Sequence, residues 1–190
     1  PNPLRVEGIA KSYDGDVVLE NINFEIERGD RVAILGPNGI GKSTLLKILM
    51  QEVLPDEGKF DWKMNVTTGY FPQEFEERLQ DGGNLLHWLG SRFPKITEGQ
   101  LRKFLARCLF SGDDVKKEVG KCSGGEKARL VLAELMLTGP NVLVLDEPTN
   151  HIDLEGVDEL VRALDEFEGT ILFVSHNRWF VERIANRYLE

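Results

Sequence analysis

The sequence predicts an α/β domain with a parallel sheet at its centre, a strand-rich start and a helical lobe inserted in its middle. Three observations point there. Over the last third, the apolar runs Val142–Leu145 and Thr170–Val174 alternate with helical patterns, as strands buried on both faces of a parallel sheet do. Earlier, a Gly-rich loop at Gly36–Thr44 joins a strand pattern to a helix pattern. Between these regions, residues of about 74–121 hold helical patterns and no convincing strand.

Taken in order, Leu4–Ile9, Val17–Ile26 and Arg31–Leu35 are rich in β-branched and apolar residues. The turn-forming runs Asp14-Gly15-Asp16 and Arg28-Gly29-Asp30 separate them. Lys42–Met50 reads as a helix and Val66–Phe71 as a further strand. In the middle, Asn84–Ser91 and Glu98–Leu109 read as helices broken by Phe93-Pro94. The core resumes with a helix at about Gly124–Leu137 and the strand at Val142. The next helix places Leu154, Val157, Leu160, Val161, Leu164 and Phe167 on one face. The strand Thr170–Val174 and a helix at about Arg178–Ala185 follow, so the sequence is expected to stop inside or just before its next strand. This divides the domain into a core lobe of about 1–73 and 122–190 and a helical lobe of about 74–121.

Composition narrows the function classes. With 23 basic against 32 acidic side chains, a net charge of -9 and a pI near 5.0, the chain is a poor stand-alone nucleic-acid binder. No apolar run approaches the ~20 residues that span a bilayer, so no direct membrane insertion is expected. Cys108 and Cys122 form neither a disulfide framework nor a metal-ligand spacing, which suits a reducing compartment and predicts a cytoplasmic location. The sequence starts at Pro1 with no signal peptide, which fits a piece cut from a longer protein.

The chemistry lies in a few motifs. Gly36-Pro37-Asn38-Gly39-Ile40-Gly41-Lys42-Ser43-Thr44 fits the phosphate-loop pattern G-x-x-x-x-G-K-[ST] in the strand-to-helix context its mechanism requires. Its amides would cradle phosphate, Lys42 would reach the β- and γ-phosphates, and the Ser43 hydroxyl would ligate Mg²⁺. Val142–Leu145 runs into Asp146 and Glu147, a metal-holding carboxylate followed by one placed to polarise water. Ser123-Gly124-Gly125-Glu126 reads two ways: as an N-terminal capping box, or as a second anion site made of free amides at a helix start. Gln73 reads as a Mg²⁺ or water ligand or as a surface residue. Tyr13 reads as an adenine-stacking ring or as strand packing, and His176 as a γ-phosphate contact or as a locally satisfied histidine.

In this order the residues resemble the ATP-binding cassette (ABC) ATPase domain over essentially the whole chain. Tyr13 falls at the A-loop, Gly36–Thr44 at Walker A, Gln73 at the Q-loop and Ser123–Glu126 at the signature. Val142–Glu147 falls at Walker B, Thr149–Asp153 at the D-loop and His176 at the switch histidine. The resemblance implies a P-loop NTPase fold with an N-terminal antiparallel β subdomain and an inserted helical subdomain. Glu147–Asp153 is similar to the EPTNHLD stretch of the ABC-F family, and Ser123–Arg129 and Val174–Val181 are similar to it as well. The run Leu109–Lys117 resembles the second cassette of YbiT-type members of that family. Three residues depart from the pattern: Cys122 for Leu, Ile152 for Leu and Asn177 for Asp. Of these, Asn177 bears most on the fine control of hydrolysis.

The resemblance further implies two cassettes paired head to tail, in one chain or as a homodimer, with each ATP between Walker A of one and the signature of the other. Catalysis would fall to Glu147, His176 and Gln73, and Mg²⁺ to Ser43, Gln73 and Asp146. The phosphates would fall to residues 36–44 and, from the partner, to Ser123–Glu126. An isolated copy would be a weak ATPase, while the full-length protein would act on the ribosome in translation. Two other functions remain open: the nucleotide-binding subunit of a membrane transporter, and an ATP-gated interaction module with negligible turnover.

Overall fold

The computed structural model describes residues 2–37, 39, 41–80 and 82–190. Asn38 and Ile40 of the phosphate loop lie outside the described residues. The chain opens with β1 (Leu4–Tyr13) and β2 (Asp16–Ile26), which pair antiparallel across the Asp14-Gly15 turn. Next come β3 (Arg31–Ile34), α1 (Gly41–Leu49), β4 (Glu57–Trp62) and β5 (Thr68–Phe71). The middle carries α2 (Leu85–Arg92) and α3 (Glu98–Arg107) among short 3-10 turns. The last third alternates regularly: α4 (Gly124–Leu137), β6 (Val142–Asp146), α5 (Leu154–Asp165), β7 (Thr170–Val174), α6 (Arg178–Ile184) and β8 (Arg187–Leu189).

Two sheets result. β2-β1-β4 is antiparallel, and β5-β6-β7-β3-β8 is parallel throughout. The last expected strand forms as β8, where Val32 to Ile34 pair in register with Arg187 to Leu189. β4 had no distinct strand signal. Its sequence EGKFDW lacks β-branched residues, and it becomes a strand by pairing with β1, with Val6 opposite Phe60.

Alternation along the parallel strands divides the core in two. Ala33, Leu143, Leu145, Ile171 and Phe173 face the layer made by α4, α5 and the helical lobe. Val32, Ile34, Val142, Val144, Leu172 and Val174 face α1 and the antiparallel sheet. Each large apolar side chain buried this way contributes about 1.5–3 kcal/mol. On α5, Val157, Leu160, Val161 and Leu164 are buried as their spacing requires, with Phe167 just beyond the helix. Leu154 is the correction to that face: it is 73% exposed, because the first residue after the Asp153 cap projects past the edge of the core.

The middle segment packs Leu85, Trp88, Leu89, Leu101 and Leu105 against α4. Arg129 of α4 ties the lobe to the core. Its guanidinium donates to the carbonyl of Cys108 at 3.0 Å and lies 2.7 Å from Glu159 of α5. An isolated antiparallel bridge, Asn84 to Glu118, also forms where no strand pairing was expected.

Candidate functional site

The site is built where β3, β6 and β7 end. After Ile34 the chain turns through Gly36 into α1, whose first turn carries no acidic residue. At Gly41 a Cβ would stand 2.6 Å from the Val18 carbonyl oxygen, so only glycine lets the antiparallel sheet close against the loop. Lys42 Nζ donates to the Gly36 carbonyl at 2.7 Å, holding its ammonium over the loop. One residue on, the Ser43 hydroxyl donates to Asp146 Oδ1 at 3.1 Å, joining α1 to the tip of β6.

Asp146 is fully buried, and its Oδ2 has no hydrogen-bond partner. Burial pushes its carboxyl above the usual carboxylate range; the Ser43 hydrogen bond works against this, and neighbouring Glu147 adds to it. Such an orphaned anionic oxygen beside a hydroxyl fits a hard divalent cation, which takes oxygen ligands from one or two carboxylates plus substrate phosphate. Among the described residues no cluster of three or more His, Cys, Asp or Glu is placed to hold a metal ion.

Glu147 sits at φ +51°, a left-handed conformation that costs a non-glycine residue about 1–3 kcal/mol. The turn is held by its N–H donating to the Val174 carbonyl at 2.9 Å. The side chain is buried, and its Oε2 accepts the backbone N–H of His176 at 3.2 Å. His176 Nε2 lies 2.9 Å from Oε1, and no hydrogen bond to Oε1 forms. A buried hydrogen bond between Thr149 and Ser175 at 3.1 Å ties the exits of β6 and β7 together.

These ends surround one cleft of about 470 Å³, lined by Tyr13, Gly39, Lys42, Ser43, Thr44, Gln73, Glu147 and His176. Tyr13, at the end of β1, is 38% exposed. Gly36, Pro37 and Gly41 line a neighbouring groove of about 690 Å³ on the far side of the loop. Lys47 and Val53 also line the cleft without having been singled out. Lys47 carried a signal, four residues after Ser43 on the same helix face; Val53, beyond the helix end, carried none.

Ser123–Glu126 lies elsewhere, for none of these residues lines the cleft. Here the capping-box reading is realised: the Ser123 Oγ accepts the Glu126 N–H, and Glu126 Oε1 accepts the Ser123 N–H, both at 3.2 Å. Lys117 Nζ donates to both Glu126 oxygens, at 2.7 and 2.9 Å. Burial alone would raise the Glu126 carboxyl, but Lys117 and Ser123 outweigh it and hold it below the usual range. A Cβ on Gly125 would lie 2.8 Å from the Gly156 Cα, so two glycines let α4 and α5 touch beside Ile152 and Asp153. Cys122 is buried as a small hydrophobe, and Asn177 caps α6, accepting the Phe180 N–H at 2.9 Å.

Comparison with known proteins identifies the family. The family described as "ABC transporter" matches residues 19–150. The chain is 42% identical over its whole length to the ATP-binding protein YbiT of Escherichia coli O157:H7, covering 36% of that protein. It is 38% identical to the Arabidopsis thaliana protein named ABC transporter F family member 5, over 98% of the chain and 27% of the relative. The chain thus spans about a third of the curated relatives it matches. Among solved structures, it superposes on cbiO1 from Clostridium perfringens, described as part of the ABC transporter complex cbiONQ. The TM-score is 0.81 at 27% identity, covering 97% of this chain and 82% of that one. With more than half of its residues matched, the chain belongs to the ABC transporter family and is an ATP-binding cassette of the ABC-F type.

Proposed function

We propose that the chain hydrolyses ATP as one half of a head-to-tail cassette pair, within a cytoplasmic two-cassette protein that acts on the ribosome. The observation that supports pairing and hydrolysis most directly is the division of the motif residues. Gly39, Lys42–Thr44, Gln73, Glu147 and His176 share one cleft, with Asp146 held to Ser43 behind it, while Ser123–Glu126 lies outside it. One copy therefore holds a nucleotide cleft and, separately, a capped helix start for another copy's nucleotide.

In this mechanism Tyr13 stacks on adenine, and Lys42 leaves the Gly36 carbonyl for the β- and γ-phosphates beside the amides of 36–44. Ser43, Gln73 and Asp146 would hold Mg²⁺, which when bound neutralises charge on the β- and γ-oxygens. Glu147 takes the proton of the attacking water on its free Oε1 while the His176 N–H holds Oε2. His176, with a side chain 52% exposed, reaches from the same point to the γ-phosphate. Ser123 and Gly125 of the facing cassette close on that phosphate, and its loss reopens the pair. An isolated copy, lacking that half, is a weak ATPase.

The ribosomal role rests on the family resemblance, and the charge of -9 lends no support to RNA contact by this piece. Full-length protein carrying Glu147→Gln should co-sediment with ribosomes in ATP; its absence from every ribosomal fraction would overturn that role. A groove of about 370 Å³ beside Gln73, lined by Glu52, Tyr70, Pro72, Glu74 and Arg78, favours a second reading as a transporter subunit. In that case the protein would be recovered with a membrane partner. Among the described residues no helix is long and apolar enough to cross a membrane.

A further inference from the structure

Glu126 stands in an electrostatic conflict. In the third position of α4 its carboxylate closes the cap and complements the positive end of the helix. The same charge opposes any anion approaching Gly124 and Gly125, whose amides have no partner within the helix. A phosphate arriving there would meet a full negative charge within one turn.

Lys117 removes the conflict. Its ammonium sits 2.7 and 2.9 Å from the two carboxylate oxygens, so the pair is neutral. The lysine comes from the helical lobe, and its backbone is fixed from both directions. Its N–H donates to the Asp114 carbonyl and its own carbonyl accepts the Leu85 N–H, each at 3.0 Å. The flanking lysines are engaged elsewhere: Lys116 with Asp113 and Lys121 with Glu118, both at 2.9 Å. Meanwhile Ser123 Oγ accepts the Glu126 N–H and keeps its own O–H free to donate.

We propose that Lys117 is a positioning residue for nucleotide recognition between cassettes. By neutralising Glu126 it leaves the Gly124 and Gly125 amides and the Ser123 hydroxyl attractive to the terminal phosphate of ATP held by the facing cassette. The inference rests on the head-to-tail reading above.

The test uses the full-length protein and steady-state Mg-ATP turnover. Ser123→Arg first checks the pairing itself, and undiminished turnover there would overturn the paired reading. With that established, Lys117→Met is expected to lower kcat/KM about tenfold where Glu126 is native, and to have no further effect in a Glu126→Gln background. Lys117→Arg, which keeps the charge, should recover most of the loss. If Lys117→Met melts early, Lys117→Gln carries the same expectation. Wild-type kcat/KM in Lys117→Met, or a tenfold loss that persists beside Glu126→Gln, would overturn the proposal, since a lysine needed only for scaffolding is indifferent to the charge at 126.

Discussion

Two helix starts in this molecule share a Gly-rich approach and differ in everything after it. α1 carries no acidic residue in its first turn and keeps Lys42 folded over its own loop carbonyl. α4 carries a complete capping box, a carboxylate and a lysine from another lobe to neutralise it. The first start is open to a ligand: its positive end is left uncompensated by acid in its own first turn, and Glu147 lines the cleft beside it. The second satisfies itself and is stable with or without an anion. In the proposed mechanism a phosphate held at α1 is grasped and cleaved, whereas one meeting α4 is only recognised. Perturbing each end in turn should separate these roles.

The largest effect is expected where the α1 cleft does chemistry. Glu147→Gln removes the base but keeps a side chain able to accept the His176 N–H. Single-turnover phosphate release by the full-length protein should fall about a hundred- to ten-thousandfold, with ATP still bound. Equal release by variant and wild type would exclude Glu147 as the base. Next comes Lys42→Met, which deletes a charge-assisted contact and should weaken ATP binding about ten- to a hundredfold by direct titration. No acid stands in the first turn of α1 to complicate that result.

The α1 side of this comparison was legible in the sequence and the α4 side only partly so. Gly36–Thr44 announces itself because phosphate binding by backbone amides demands glycines, a lysine and a hydroxyl at fixed local spacing. Asp146 and Glu147 follow an unbroken apolar strand for the same local reason. The Ser123 and Glu126 spacing also predicted its cap. Nothing local could pair Lys117 with Glu126, because the lysine is delivered by the lobe's fold. The Thr149–Ser175 tie likewise depends on two strands lying side by side. β4 was missed because its strand character comes from β1, and Leu154 misled because helical periodicity says nothing of where the core ends. Local chemistry is readable one residue at a time; partners brought by tertiary structure are not.

A smaller effect, of opposite sign for stability and function, is expected at Asp146. Its folded pKa is raised, so the native state binds a proton more readily than the unfolded chain. The carboxyl thus favours folding most below its unfolded pKa and progressively less as pH rises through the folded value. Asp146→Asn relieves a buried charge in the ligand-free chain and should raise its stability at neutral pH by about 1 kcal/mol while removing Mg²⁺-dependent turnover. The gain over wild type should shrink as pH is lowered through the raised folded value, where the native carboxyl takes up its own proton. Thermal melts across that range check the sign, and a gain that grows toward acid would contradict it. α4 contains no comparable stored cost, because Lys117 neutralises its carboxylate in the absence of ligand.

The smallest effect tests that self-sufficiency. Ser123→Ala removes the oxygen that accepts the Glu126 N–H but leaves the Lys117–Glu126 pair, so its cost is that of one helix cap, about 1 kcal/mol. Ser123→Gly should cost only a few tenths, since glycine tolerates the cap conformation and lets water reach the amide. Urea melts with unchanged slope would show that stability alone has shifted. ATP titration of the same variants in the isolated, unpaired cassette is the sharper half of the measurement. Ser123 does not line the cleft of its own chain, so affinity there has no route to fall by the tenfold or more expected for Lys42→Met. Should Ser123→Ala weaken that affinity as strongly, the two helix starts would be acting on one nucleotide within a single chain, and the separation between grasping and recognising ends would fail.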